Sequence, residues 1–247
     1  MDANPNFRFN NIRRLLSHGR RAADEYSMIN EGDRIAVGLS GGKDSLALFC
    51  MLVNMRLFYP KKYELAAITV DMGFDGAPDL APLAQWSESH GVPHKTVHTE
   101  LAKIIFDIRK ETNPCSLCSR MRRGILHDAV NEIGFNKLAL GHHFDDAVET
   151  FMLNLFHEGR LGSFSPVSYL DRKKITLIRP LIYTNEKEIR YFVNHNPELP
   201  LIKNVCPEDE KTERENMKRM LETLEHKNKG LKHRIFTAMQ KSGIDGY

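Results

Sequence analysis

Short apolar runs alternate along this chain with longer stretches in which apolar residues recur every three or four positions. That is the rhythm of strands exchanging with amphipathic helices. Phe7 to Asn30 is predicted to be helical: Phe7, Asn11, Leu15 and Ala22 fall near one face, and Ile12, Leu16 and Ala23 widen it. Glu31-Gly32-Asp33 breaks that helix. Arg34 to Leu39 follows as a strand, Ser40-Gly41-Gly42 as a turn, and Lys43 to Leu57 as a helix with Leu46, Leu48, Phe49, Leu52 and Val53 on its apolar side. Further strands are predicted at Tyr63 to Val70, Val92 to Val97, Lys137 to Leu140 and Lys174 to Ile178. Further helices are predicted at Leu80 to His90, Asp145 to His157 and Asn185 to Val193. The stretch from Leu101 to Gly134 reads as helix, interrupted at Asn113-Pro114. Beyond Pro197, Pro200 and Pro207 come two closing helices. Met217, Met220, Leu221 and Leu224 stripe the first, whose charges are expected to form a solvated face.

This alternation implies an α/β fold: a doubly wound parallel sheet with an N-terminal helix and a helical C-terminal extension. The expected division is a basic helix over residues 1–31, a nucleotide-binding domain over 32–200 and the extension over 201–247. In such sheets ligands sit beyond the carboxyl ends of the strands. Three polar clusters fall at such ends: Ser40-Gly41-Gly42-Lys43-Asp44-Ser45, Asp71 with Met72, and Gly141-His142-His143.

Composition narrows the picture. The 247 residues are 41% hydrophobic and 27% charged, with a net charge of +3. That excludes a polybasic tail and an acidic disordered chain, and fits a globular protein with a core. Four cysteines are too few for a disulfide-stapled scaffold. The run Ser45 to Met55 is shorter than the roughly 20 apolar residues of a membrane span. Met1 to Arg14 carries no apolar signal region. A reducing, cytoplasmic setting is the default expectation.

A strand, two glycines and a helix opening with Lys make an anion site. The helix start offers unpaired N–H groups and a positive dipole end, and glycine lets phosphates approach. Lys43 adds a point charge, and Ser40 and Ser45 add hydroxyls. The spacing is not a Walker A loop, since Val37 stands at its first glycine position and Asp44 where Ser or Thr would be. A carboxylate beside phosphates repels them unless a cation intervenes, so Asp44 is expected to help hold Mg2+.

Cys115-Ser-Leu-Cys118 opens a predicted helix, a setting that favours thiolate, and Arg120, Arg122 and Arg123 push the same way. A single such pair suits half a zinc site, a redox pair or one end of a cluster site. Cys206, beside Pro207, is the only other cysteine in a loop-like setting, and Cys50 is expected in the core. Three cysteines would leave one iron of a four-iron cluster open to a non-protein ligand. In Gly141-His142-His143-Phe144-Asp145-Asp146, a carboxylate is expected to cap the next helix, with Glu149 completing a capping box with Asp146. His142 or His143 could donate to phosphate, and Asp145 could assist proton transfer or bind metal. No acidic residue lies between Ala3 and Ala23, where Arg8, Arg13, Arg14, Arg20 and Arg21 occur, so an RNA partner is expected there and on Arg120 and Arg123.

Ser40-Gly-Gly-Lys-Asp-Ser45 resembles the PP-loop of the N-type ATP pyrophosphatases, whose fold is a HUP-like Rossmannoid sheet. Within that superfamily, four features resemble the tRNA 2-thiocytidine synthetase family. They are Cys115 to Gly124, Gly141-His-His-Phe-Asp-Asp146 followed by Glu149, Arg179-Pro-Leu181, and a third cysteine in the C-terminal part. The sequence departs from it at Asn204-Val-Cys-Pro-Glu208 and Met72-Gly-Phe-Asp-Gly76. The resemblance implies ATP binding by Ser40, Gly41, Gly42, Lys43, Asp44, Ser45, Asp71, Gly141 and His142. It implies catalysis by Lys43, Asp44 and Asp145, and a [4Fe-4S] cluster on Cys115, Cys118 and Cys206. The implied reaction is 2-thiolation of cytidine at position 32 of tRNA. A base oxygen attacks the α-phosphorus of ATP, pyrophosphate leaves, and sulfur then displaces AMP. Sulfur would come from a cysteine desulfurase, and room is left for a homodimer. The alternatives are thiolation of a uridine, a cluster-free PP-loop ligase such as a lysidine-type tRNA enzyme, and a non-catalytic nucleotide- or metal-binding module.

Overall fold

The computed structural model describes residues 8–109, 114–203, 205–208 and 213–247. Phe7 and Asn113, at the start of one predicted helix and at the interruption of another, lie outside the described residues. Six strands form one sheet: β1 (Asp33–Gly38), β2 (Tyr63–Asp71), β3 (His94–His98), β4 (Lys137–Ala139), β5 (Val167–Leu170) and β6 (Ile175–Ile178), in the order β3-β2-β1-β4-β6-β5. The β1–β2, β2–β3, β1–β4 and β4–β6 pairs are parallel. The sequence pattern does not mark β5, which pairs antiparallel with β6. The turn between them explains why. Lys173 and Lys174 both donate backbone N–H bonds to Leu170 O, and Lys174 sits at φ 53°, which closes a hairpin rather than a crossover.

The helices are α1 (Arg13–Glu25), α2 (Lys43–Met55), α3 (Ala81–Ser89), α4 (Pro114–Glu132), α5 (Phe144–His157), α6 (Glu186–Asn194), α7 (Glu213–Lys227) and α8 (Leu231–Ser242). Lys103–Ile108, expected to be helical, is helical with the wider π turn. The first helix is shorter than predicted for a local reason. Asn11 adopts φ 54°, and the amides of Arg8 and Asn10 are taken by the side chains of Asn54 (2.9 Å) and Asn196 (2.8 Å). Tertiary partners thus satisfy donors that a longer helix would have satisfied itself.

Alternation along β1 sorts the core into two layers. Ile35 and Val37 face the larger cluster with α1, α2, α5 and α6, while Ala36 faces Leu126, Ala129 and Val130 of α4. Every residue of α2 from Ser45 to Met55 is buried, so this helix is a central pillar, and Cys50 is core as expected. Met217 and Leu221 of α7 and Phe236 and Met239 of α8 join the larger cluster. Among the described residues, no helix is long and apolar enough to cross a membrane.

Candidate active site

The order β3-β2-β1-β4-β6 places connections to one side after β1 and to the other after β4. Between those strands lies the switch point at which such sheets bind ligands. Ser40 to Ser45 follows β1 and Gly141-His142-His143 follows β4, so the two clusters are neighbours at the carboxyl edge. Their contact is direct. A Cβ on Gly141 would lie 3.1 Å from the backbone of Asp44 and 3.2 Å from Ser45 N, a close approach that glycine permits.

The loop is shaped from within. Ser45 Oγ accepts from Ser40 N (3.2 Å) and Ser40 Oγ (3.1 Å) and donates to Gly42 O (2.9 Å). Gly41 sits at φ 77°, and Ile202 packs where its Cβ would be, at 2.6 Å. Ile202 N donates to Gly41 O at 3.0 Å. Lys43 Nζ pairs with Asp44 Oδ2 (2.9 Å) and Glu186 Oε1 (3.1 Å). Burial opposes charge on Lys43, but the two carboxylates prevail and hold its pKa above the ordinary value. Asp44 Oδ1 is buried without a hydrogen-bond partner, with His143 Nε2 3.7 Å away.

His143 caps α5. Its ring accepts from Asp146 N (3.4 Å), and the His143 backbone N–H donates to Asp146 Oδ2 (2.9 Å). The capping box is therefore His143 with Asp146, three residues earlier than the expected pairing of Asp146 with Glu149. Glu149 is instead buried on the inner face of α5, and burial together with Asp146 pushes its carboxyl up to about 7. Asp145 has both oxygens occupied: Oδ2 accepts from Glu186 N (2.8 Å) and Oδ1 from Lys232 Nζ of α8 (2.7 Å). His142 stacks obliquely on Phe164 (4.9 Å), and burial and Arg179 lower its pKa to about 4, so its ring is neutral at neutral pH. Arg179 is buried with its guanidinium 5.0 Å above the Phe164 ring. Asp71, at the end of β2, accepts from Gly73 N (3.0 Å) and meets His98 Nδ1 (2.9 Å). Those bonds, the first of them foremost, hold its carboxyl below the usual range against the effect of burial.

The third cysteine reaches this edge along the strap that covers Gly41. Cys206 lies four residues beyond Ile202, at most about 14 Å of extended chain. It is an electrostatic neighbour of both Cys115 and Cys118. The expectation of lowered thiol pKa values is corrected: burial raises both, Cys206 adds to the effect, and Arg122 opposes it only at Cys118. The helix start does not prevail because the thiols are partly desolvated and crowd one another. Among the described residues, no three His, Cys, Asp or Glu side chains converge to hold a metal ion. A single ion needs its ligands to meet at one point, whereas each thiolate of an iron–sulfur cluster binds a different iron. Three soft donors outside any disulfide and in mutual electrostatic reach fit the second demand.

Arg13 and Arg14 open α1, and Arg120 and Arg123 lie near the start of α4. All four are exposed, and Arg14 is 3.4 Å from Glu188. Both helices run away from the carboxyl edge, on opposite faces of the sheet. Arg20 and Arg21 are matched by Asp24 (3.5 Å) and Glu25 (3.3 Å), which takes two of the five arginines read for this helix.

Sequence reasoning missed the groups that the C-terminal helices contribute. Lys218 Nζ lies 2.8 Å from Glu186 Oε2, and Arg214 is 3.5 Å from Asp146 Oδ1. Both residues flank the apolar stripe of α7, and nothing in the stripe distinguishes an inward cation at its border from a solvated one. Glu186 carried one usable signal, its place just inside the Asn185–Glu188 capping box after β6.

Residues 13–223 match the family model described as a PP-loop domain. The chain is 38% identical to a tRNA-cytidine(32) 2-sulfurtransferase of Geobacter sulfurreducens, covering 95% of this chain and 90% of that protein. It is 40% identical to the enzyme of the same name from Syntrophotalea carbinolica, over 87% and 83% of the two chains. Among solved structures it resembles the U34-tRNA thiolase NcsA from Methanococcus maripaludis with its [4Fe-4S] cluster, at TM-score 0.75 and 26% identity, covering 93% of this chain and 79% of that one. The chain thus has a nucleotide loop and a trio of thiols at one sheet edge, within a sequence that matches these enzymes almost end to end, and it belongs to the tRNA-cytidine(32) 2-sulfurtransferase family of PP-loop proteins.

Proposed function

We propose that this chain thiolates tRNA at the expense of ATP, converting cytidine 32 to 2-thiocytidine. The observation that supports the reading is the strap: the segment leading to Cys206 is hydrogen-bonded to the phosphate loop at Gly41, and Cys206 is within electrostatic reach of Cys115 and Cys118. Phosphate activation and sulfur chemistry are thereby held at one site.

In this reading the loop N–H groups at the start of α2 and Lys43 stabilise charge on the phosphates as the base oxygen attacks the α-phosphorus. The unpartnered Oδ1 of Asp44 supports a role in holding Mg2+. Ser40, Gly41, Gly42 and Ser45 shape the phosphate cradle, with Asp71, Gly141 and His142 around the nucleotide. Asp145, with both oxygens engaged, acts by positioning α6 and α8. Cys115, Cys118 and Cys206 would hold a [4Fe-4S] cluster, which when bound supplies an iron site able to carry sulfur to the activated carbon. Arg13, Arg14, Arg120 and Arg123 bind tRNA phosphates. The same reading assigns the sulfur to a cysteine desulfurase, places the reaction in the cytoplasm, and leaves room for a homodimer.

The test is nucleoside analysis of tRNA from cells lacking this gene. Loss of 2-thiocytidine is expected. Loss of a thiouridine instead, the modification named for the structural neighbour, would move the target to another base. Unchanged thionucleosides would overturn the reading.

A further inference from the structure

Glu186 lies at the mouth of the phosphate loop with its side chain only 13% exposed and three cations around it. Oε1 meets Lys43 Nζ at 3.1 Å and Arg190 Nη2 at 2.9 Å, and Oε2 meets Lys218 Nζ at 2.8 Å. One carboxylate cannot neutralise three cations. Asp44 shares Lys43, and Glu222 and Glu149 act from farther off on Arg190 and Lys218, but Glu186 is the carboxylate that meets all three cations. Three cations gathered about one carboxylate beside the phosphate loop make a place that an anion of higher charge can take. Lys43 is the group expected to meet the outer phosphates, so a carboxylate on its ammonium competes for the same position. Burial disfavours charge on Glu186, yet the three cations hold its pKa far below the usual carboxylate range.

We propose that Lys218 of α7 and Arg190 of α6 join Lys43 in a subsite for the β- and γ-phosphates of the nucleotide, and that Glu186 occupies this subsite until the nucleotide arrives. The inference rests on the ATP-dependent reading above and names two further ligands for its leaving pyrophosphate. It also makes the C-terminal extension part of the nucleotide site. When the α-phosphorus–oxygen bond breaks, the charge gathering on the departing pyrophosphate falls where two additional cations wait. Glu186 is then released from Lys43 and keeps its backbone anchor, since its N–H donates to Asp145 Oδ2.

Calorimetry on the full chain with Mg2+ and no tRNA tests this with three ligands: ATP, inorganic pyrophosphate and AMP. Lys218→Ala should weaken ATP and pyrophosphate binding about ten-fold, the usual value of one charge-assisted contact, and leave AMP binding unchanged. Lys218→Arg should restore most of the affinity. Glu186→Gln should tighten pyrophosphate binding roughly three-fold, because a competing charge is gone. A network that only braces the fold gives the opposite sign for Glu186→Gln, or weakens all three ligands in parallel, and either result overturns the proposal. So does unchanged ATP affinity in Lys218→Ala. A wild-type chain that binds neither ATP nor pyrophosphate would instead bring down the ATP-dependent reading itself.

Discussion

At the residue scale, Gly41 and Glu149 carry the sharpest consequences. Gly41→Ala would place a side chain at φ 77° and 2.6 Å from Ile202. The backbone conformation alone costs about 1–2 kcal/mol in any L-residue, and the collision adds to it. Thermal melting of Gly41→Ala should show that destabilisation. Adding Ile202→Ala should recover only the part of the collision due to Cγ1 and Cδ1, because Ile202 Cβ itself lies 2.7 Å from the added methyl. Glu149 sets a pH dependence. Its carboxyl is raised from 4.5 to about 7, chiefly by burial and then by Asp146, so the folded chain binds this proton more tightly than the unfolded chain does. Its contribution is intact below pH 4.5 and disappears as pH rises through about 7. Each ten-fold difference in proton affinity between the folded and unfolded chain is worth about 1.4 kcal/mol. Glu149→Gln should therefore change stability little at pH 4 and raise it at pH 8, measured by urea unfolding at both values. The loop residues Ser40 to Ser45 were legible because a strand, two glycines and a charged helix start are all local features. The surroundings of Glu149 and Glu186 were not, because Arg214 and Lys218 reach them from a helix far along the chain.

At the scale of elements, the helices and all but one strand were readable from apolar spacing or apolar runs, whether an element buries one stripe, as α7 does, or is covered on every side, as α2 is. The missed strand, β5, is four residues long and stands at the sheet edge, where a half-exposed pattern hardly differs from a loop. The charges of α7 and α8 were legible only as charges. Their direction depends on which helix they pack against, and here α5 draws Lys232 inward and holds Arg214 at its surface. The Asp145–Lys232 pair pins α8 to the start of α5 with both side chains nearly covered, at 10% and 12% exposure. Lys232→Met would leave that carboxylate buried and unmatched, at an expected cost of about 3–5 kcal/mol. The double variant Asp145→Asn with Lys232→Met should recover part of it in the same unfolding measurement, because the uncompensated charge is removed.

At the scale of the molecule, the sheet divides the two arginine pairs. Arg13 and Arg14 stand on the α1 face and Arg120 and Arg123 on the α4 face, all toward the carboxyl edge. Charge reversal of either pair should weaken tRNA binding and flatten its salt dependence, by about 0.7 in the log–log slope for each phosphate that is no longer neutralised. Reversal of both should be roughly additive, since the pairs share no partner. A filter-binding titration across salt concentrations reads both effects. An RNA that touches both pairs at once must straddle the rim of the sheet. A hairpin tip presented head-on can do so, with its unstacked bases descending between the arginines, whereas the flank of a duplex would meet only one side.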